Sequence, residues 1–340
     1  MIAMLDYINA ITLLANYIIV PSLAYGSQLA LGALGITMVY AVLRFSNFAH
    51  GEIMSFGTMI SIFIVWLFQS IGISINPLPT ALLALPLSIT ATIILLLILD
   101  KTVFRYYQKQ RVQPVTFMIV SVGVMFFLAG FIRFLIGTSK KNFDDGERFI
   151  VKASQFKQMT GLAEGLSIRT TQAITVIVTI LLVIFIFWFL NKTRTGKSMR
   201  AFSDNEDLAL LSGINPERVI IITWILVGVL ASVAGTLYGL DKGYKPFVYL
   251  QLVLPIFAAA IVGGVGNPIG AVAGGYIIAF SEAFITFAYK RFLTYLLPKE
   301  WAPDGLVQIL STEYKFAISF VLLVIVLLVR PTGLFRGKTL

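Results

Sequence analysis

The 340-residue chain is 58% hydrophobic and 12% charged, with a formal net charge of +10 and a mean hydropathy of +0.90. Soluble domains carry roughly twice that share of charge, so the composition excludes a soluble globular protein and points to a polytopic membrane protein whose apolar runs need lipid as solvent. With no cysteine and one histidine, disulfides and Cys- or His-based metal clusters are excluded, and the positive balance is that of basic residues flanking spans, with no nucleic-acid partner implied.

In chain order, the opening "MIAMLDYINAITLL" carries Asp6 and no Lys or Arg before Arg44. It lacks the basic region of a signal peptide and is expected to belong to the mature protein. Candidate spans follow at about 10–24, 26–43, 53–70, 79–99, 114–137, 171–190, 219–240, 250–266, 268–288 and 314–330. Eight to ten crossings of an all-α bundle are therefore expected, with short or broken helices at the first span and around residue 267. Between the second and third candidates lies "RFSNFAHGE", holding Arg44, Asn47, His50, Gly51 and Glu52. Gly51 permits a bend or a close approach there, and Asn47 and His50 suit freed backbone groups. Arg44 and Glu52 are expected near water, so the segment reads as a structural hinge.

Orientation comes from the loops. "DKTVFRYYQKQR", "NKTRTGKSMR" and the C-terminal "RPTGLFRGKTL" are basic and assigned to the cytoplasm. The mixed-charge loops at about 138–170 and 289–313 are assigned to the outside. Alternation of the spans agrees, and it places "RFSNFAHGE" near the cytoplasmic end of its helix pair.

The cytoplasmic loop, about 191–218, contains "SDNEDLALLSGINPERV". Ser203 and Glu206 have capping-box spacing, and Glu206 and Asp207 sit where a helix dipole favours anions. Leu208 and Leu211 are apolar contacts, Gly213 suits a left-handed helix end, and Asn215-Pro216 restarts a helix. A two-turn helix over 204–212 is expected, either a stiff connector or a docking element.

Small residues then mark close helix packing. Ala231, Gly235 and Gly239 step by four in one span. Gly266, Gly270 and Gly274 step by four in "AAAIVGGVGNPIGAVAGG", beside Gly263, Gly264 and Gly275. Asn267-Pro268 interrupts that run, which reads as a broken element lining a cavity or as a tight turn; the orientation favours the turn. Glu282 is the deepest acid and a functional suspect on that ground. No phosphate-binding loop, no zinc or serine-hydrolase motif and no metal-ligand cluster occurs in the sequence. No catalytic residue and no cofactor is expected.

Three stretches together carry a resemblance over nearly the whole chain: "ALGITMVYAVLRFSNFAHGEIMSFG" with its N-x-A-H-G core, "TGKSMRAFSDNEDLALLSGINPERV", and "AAAIVGGVGNPIGAVAGG" with Glu282 and the terminal "RPTGLF". The sequence resembles the permease subunits of bacterial branched-chain amino acid ABC transporters, a group that includes urea and short-chain amide relatives. The resemblance implies a single permease domain over 1–340 in the bacterial inner membrane, with its C-terminus cytoplasmic. It implies a homologous or identical second permease, two cytoplasmic ATPases and a periplasmic substrate-binding protein. It also implies that residues 195–216 dock the ATPases and that ATP hydrolysis occurs on those partners. The alternatives are a urea or amide permease and a stand-alone secondary transporter.

Overall fold

The computed structural model describes residues 2–110, 112–143, 146–298, 301, 303 and 305–335. Arg111, Asp144, Asp145, Lys299, Glu300, Asp304, Arg336 and Lys338, counted above in the charged loops, lie outside the described residues. Among the described residues nine helices are long and apolar enough to cross a membrane.

The first, α1 (Met4–Leu43), runs 40 residues without interruption. At 1.5 Å per residue it is about 60 Å long, twice the hydrocarbon thickness of a bilayer. The two spans expected here are thus one continuous helix. Its irregularity is a π-helical stretch at Ala15–Ile19, just before Pro21, whose ring and missing N–H disturb the preceding turn. α2 (His50–Ser70) follows. α3 (Ala81–Lys109) absorbs much of the basic segment that the sequence assigned to a loop, and α4 (Pro114–Ile136) returns.

The next connection carries a short hairpin of β1 (Phe149–Val151) and β2 (Ile168–Arg169), with α5 (Ala153–Thr160) between them. α6 (Thr170–Lys192) leads to two short helices, α7 (Arg194–Asp204) and α8 (Glu206–Leu211). α9 (Pro216–Lys242), α10 (Pro246–Gly263) and α11 (Pro268–Thr286) complete the packed centre. The short α12 (Lys290–Leu296) and the last long helix, α13 (Lys315–Val329), close the fold.

α1, α2, α9, α10 and α11 form the interior, and small residues set their spacing. A side chain at Gly235 would run into the Met54 carbonyl, one at Gly275 into the Ala30 backbone and one at Gly274 into the Ala259 carbonyl. Hydroxyls bridge the same seams: Ser88 Oγ donates to the Gly57 carbonyl at 2.6 Å and lies 2.8 Å from Ser232 Oγ. Such packing holds helices together where lipid supplies no hydrophobic drive between them.

The polar connections collect at two ends of the bundle. At one, Lys141 pairs with Tyr244 and Arg169 lies 3.7 Å from Asp241. Glu164 there meets Arg291 at 2.7 Å and the Tyr295 hydroxyl at 2.8 Å. The described parts of 138–170 and 289–313 therefore share an end. At the other, Arg105 reaches Glu217 at 3.6 Å and the Arg44 guanidinium donates to the Ser203 carbonyl. The described basic segments gather there.

Candidate functional site

That second end brings the three sequence signatures together. α1 stops at Arg44, the one described non-glycine residue in the left-handed region, with φ 60°. The bend expected at Gly51 is therefore made at Arg44, and Gly51 lies inside α2. Residues 45–49 then turn back into the bundle as non-helical chain. His50 packs against Gly35, nine residues before Arg44 on α1, so α2 begins roughly two turns inside the helix ends.

Irregular backbone at that depth is tolerated when protein covers it and supplies its hydrogen bonds. Asn47 Oδ1 accepts from the Ala49 N–H at 3.1 Å, and Ser121 Oγ accepts from the Phe48 N–H at 3.1 Å. Phe45 stacks on Phe117 with ring centroids 5.1 Å apart, and Phe48 packs on Phe257 at 5.0 Å. Gly51 is required by close approach: a Cβ there would lie 2.5 Å from the Tyr249 carbonyl oxygen. Asn47, His50 and Glu52 are all buried. Glu52 is not near water, because re-entry carries it past the helix ends into the space facing α9 and α10. Just outside the spans, burial pushes the Tyr244 phenol above its ordinary value, and the Glu52 carboxylate adds to that; the hydroxyl bonds Ser55 at 3.0 Å.

The 191–218 connection is more helical than its sequence suggested. Thr193 caps α7 by accepting from the Gly196 N–H at 3.0 Å. α7 buries Met199 and Phe202 and continues through Ser203 to Asp204. Ser203 therefore does not cap the next helix, since the chain is still helical there. Asn205 does so, accepting from Leu208 N at 3.0 Å. The short helix is Glu206–Leu211, with Glu206 and Asp207 in its first turn. It ends at Gly213, whose φ of 80° favours glycine. Asn215 caps α9, accepting from Arg218 N at 3.3 Å, with Pro216 at the first helical position. Leu208 is 60% and Leu211 85% exposed, an apolar knob at the tip of a polar loop.

Gly264 and Gly266, with φ of 113° and 83°, make a tight turn between α10 and α11. The turn reading of "GNP" is the observed one: Asn267 caps α11 by accepting from Ile269 N at 3.0 Å and Gly270 N at 3.2 Å. The Gly263 and Gly270 backbones touch, leaving no room for a side chain on either. The terminal segment clamps this turn. Leu334 N donates to the Val262 carbonyl at 2.9 Å, Phe335 N to that of Gly263 at 3.1 Å, and Asn267 Nδ2 to that of Phe335 at 2.7 Å. A cavity of about 180 Å3 joins Gly266 and Pro268 to Arg200, Ser203 and Asp204, so the turn and the α7–α8 unit are neighbours. Glu282 belongs elsewhere, near the opposite end of α11.

One buried group escaped the sequence reading. Asp100 is 1% exposed. It accepts from Trp224 Nε1 at 2.9 Å and meets Arg105 at 3.3 Å. It ties α3 to α9 one helix beyond the α8 knob. The i, i+5 spacing of Asp100 and Arg105 hid the pair, because that separation places them on one face only through the π-helical stretch at Asp100–Phe104.

Residues 18–327 match the family described as branched-chain amino acid transport system / permease component. The high-affinity branched-chain amino acid transport system permease protein LivH of Salmonella typhimurium is 32% identical over 316 residues, 91% of each chain. BraD of Pseudomonas aeruginosa, a permease protein of the same description, is 28% identical over 326 residues, 93% of this chain and 94% of its own. A probable branched-chain amino acid transport permease protein LivH of Methanocaldococcus jannaschii is 29% identical over 315 residues, 92% and 90% of the two chains. These relatives are transport permeases, not enzymes. With its many apolar crossings and a match along most of its length, the chain is a multi-pass membrane protein of the branched-chain amino acid transport system permease component family.

Proposed function

We propose that the chain is one permease subunit of an ATP-driven importer of branched-chain amino acids in a bacterial cytoplasmic membrane. The observation that carries this is the match along residues 18–327 to permease components of such systems. In this reading the end bearing Arg44, α7, α8 and the C-terminus faces the cytoplasm, as the basic flanks favour. Loops 138–170 and 289–313 face outward, toward a periplasmic binding protein. A second permease completes the pathway, and two ATPases dock on the Leu208–Leu211 knob.

The mechanical argument follows from the packing. Two turns of helix are unstable alone, and α8 sits between α7 and α9, started by its own Asn205 cap and followed at once by the Asn215 cap of α9. A load on the knob passes into α9 directly, and through α7 to Arg44 and the α10–α11 turn. ATPases that bind differently to two permease conformations shift the population between them. The chain itself makes and breaks no bonds. Its residues supply pathway, gate and docking surface.

Reconstitution tests this. Proteoliposomes carrying the chain with its partner permease, ATPases and binding protein should take up L-leucine only with ATP. Uptake by the chain alone, without any ATPase, would overturn the proposal.

A further inference from the structure

Away from the coupling surface, α1, α9, α11 and α13 enclose a cavity of about 140 Å3. Its polar lining includes Ser22, Tyr25, Tyr238, Lys242, Glu282 and Lys315, with Thr286, whose hydroxyl donates to the Glu282 carbonyl at 2.7 Å. Glu282 is 3% exposed and Ser22 1%. Ser319 Oγ donates to Glu282 Oε1. The other carboxylate oxygen, Oε2, and the Ser22 and Tyr25 hydroxyls have no partner within hydrogen-bond distance among the described residues, although the Tyr25 hydroxyl faces the Glu282 carboxylate. Across the cavity, the Lys315 ammonium lies 5.4 Å from the Tyr25 ring centroid and 4.8 Å from that of Phe316. Among the described ion pairs none joins it to Glu282. Lys242 stands at the rim, 3.0 Å from Asp241, and also lines a polar cavity of about 720 Å3 that Arg169 and Asp241 border.

A buried acid and a cation held apart across a gap is a costly arrangement, because each is withdrawn from water without the other's full compensation. A ligand carrying both charges relieves it. Its ammonium satisfies Glu282 Oε2, its carboxylate meets Lys315, and the Ser22 hydroxyl serves either group. Such a ligand is neutral overall, so its entry leaves the charge of the cavity unchanged. Pro21, Ala279 and Ala283 complete the wall with small apolar surface, suited to a short aliphatic side chain.

We infer that this cavity is a zwitterion site, taking one aliphatic α-amino acid between Glu282 and Lys315 toward the end of the bundle opposite Arg44. The inference rests on the reading of the chain as an amino acid permease. It adds the position, the ligand chemistry and a second charged residue, Lys315, on a helix otherwise largely exposed in the single chain.

The test uses the assembled transporter. Labelled L-leucine is bound at equilibrium to the complex without nucleotide, with 4-methylpentanoate and 3-methylbutylamine as competitors lacking one charge each. Wild type should bind leucine and be displaced by neither competitor. Glu282→Gln, which keeps the Ser319 bond, and Lys315→Gln should each weaken binding by about tenfold or more, the loss expected of one charged hydrogen bond. Should Glu282→Gln fail to assemble, Lys315→Gln and Ser22→Ala carry the same comparison. Unchanged affinity in the variants, displacement by the singly charged compounds, or no wild-type binding overturns the site. ATP-driven leucine uptake by the same wild-type complex is scored separately. Its absence overturns the function itself, while its presence with unaffected variants overturns only the zwitterion site.

Discussion

Trp224→Phe is a sharp probe of how the elements at the Arg44 end are tied into the bundle. Trp224 is fully buried and stacks on Phe104 with ring centroids 5.3 Å apart. Phenylalanine keeps that stack and removes the Nε1 donor that lies 2.9 Å from Asp100 Oδ1. A hydrogen bond to a charged group contributes about 1.5–3 kcal/mol. Arg105 still faces Asp100 from 3.3 Å on Oδ2, so the acid is not left alone. The expected cost is about 2 kcal/mol, roughly a thirtyfold change in the unfolding equilibrium. Denaturant-driven unfolding in mixed micelles measures it for Trp224→Phe, Asp100→Ala and the double variant. The two side chains touch, so the cycle should show a coupling of about 1–2 kcal/mol, whereas independent sites add within about 0.5 kcal/mol. Additive losses would refute the claim that this bond joins α3 to α9.

The remaining predictions probe other levels. Gly51→Ala places a methyl against the Tyr249 carbonyl and should cost about 1–3 kcal/mol by overpacking; wild-type thermal stability would contradict the re-entrant packing. Gly213 has nothing within 4 Å of a built Cβ and a φ of 80°, so Gly213→Val strains the backbone alone by about 1–2 kcal/mol. It should uncouple ATP hydrolysis from uptake while Gly213→Asn retains more of the coupling, and equal coupling in both would count against the docking role. Leu211→Asp should abolish ATPase co-purification without lowering the yield of folded permease; retained ATPase would place docking elsewhere. Burial, then the hydrogen bond and negative charge of Glu164, push the Tyr295 phenol above its ordinary value. A raised folded value means that this contribution is fully present below the ordinary tyrosine pKa of about 10 and fades as pH rises through the folded value. Tyrosinate absorbance should show Glu164→Gln titrating at lower pH than wild type; identical curves would remove the Glu164 contact from the account.

Much of this fold was legible in the residues because the relevant physics is local. Runs of about 20 apolar residues mark helices that suit a bilayer. Asn215-Pro216 and Asn267-Pro268 start helices by capping and fixed φ, and Gly213 ends one by adopting a conformation that other residues resist. The glycine steps of α9 and α11 place bare backbone at helix contacts. Errors arose where a local preference met a competing one. Ser203 and Glu206 have the spacing of a capping box, but α7 buries Met199 and Phe202 and carries the helix through Ser203, so Asn205 takes the cap. Gly51 looked like the bend, yet its lack of a side chain serves contact with Tyr249 while Arg44 turns the chain.

What the sequence determines by itself is the membrane class, the sequence of helices, the turn at Asn267 and the family, since hydropathy, capping and motif spacing are properties of short segments. Only the tertiary structure decides that Glu52 is buried, that the C-terminal Leu334 and Phe335 clamp the α10–α11 turn, and that Lys315 faces Glu282 across a cavity. Those facts depend on the rotation and depth of helices dozens to hundreds of residues apart. Rotation and depth are set by which small residues let two backbones touch, and no single segment encodes that choice of partner.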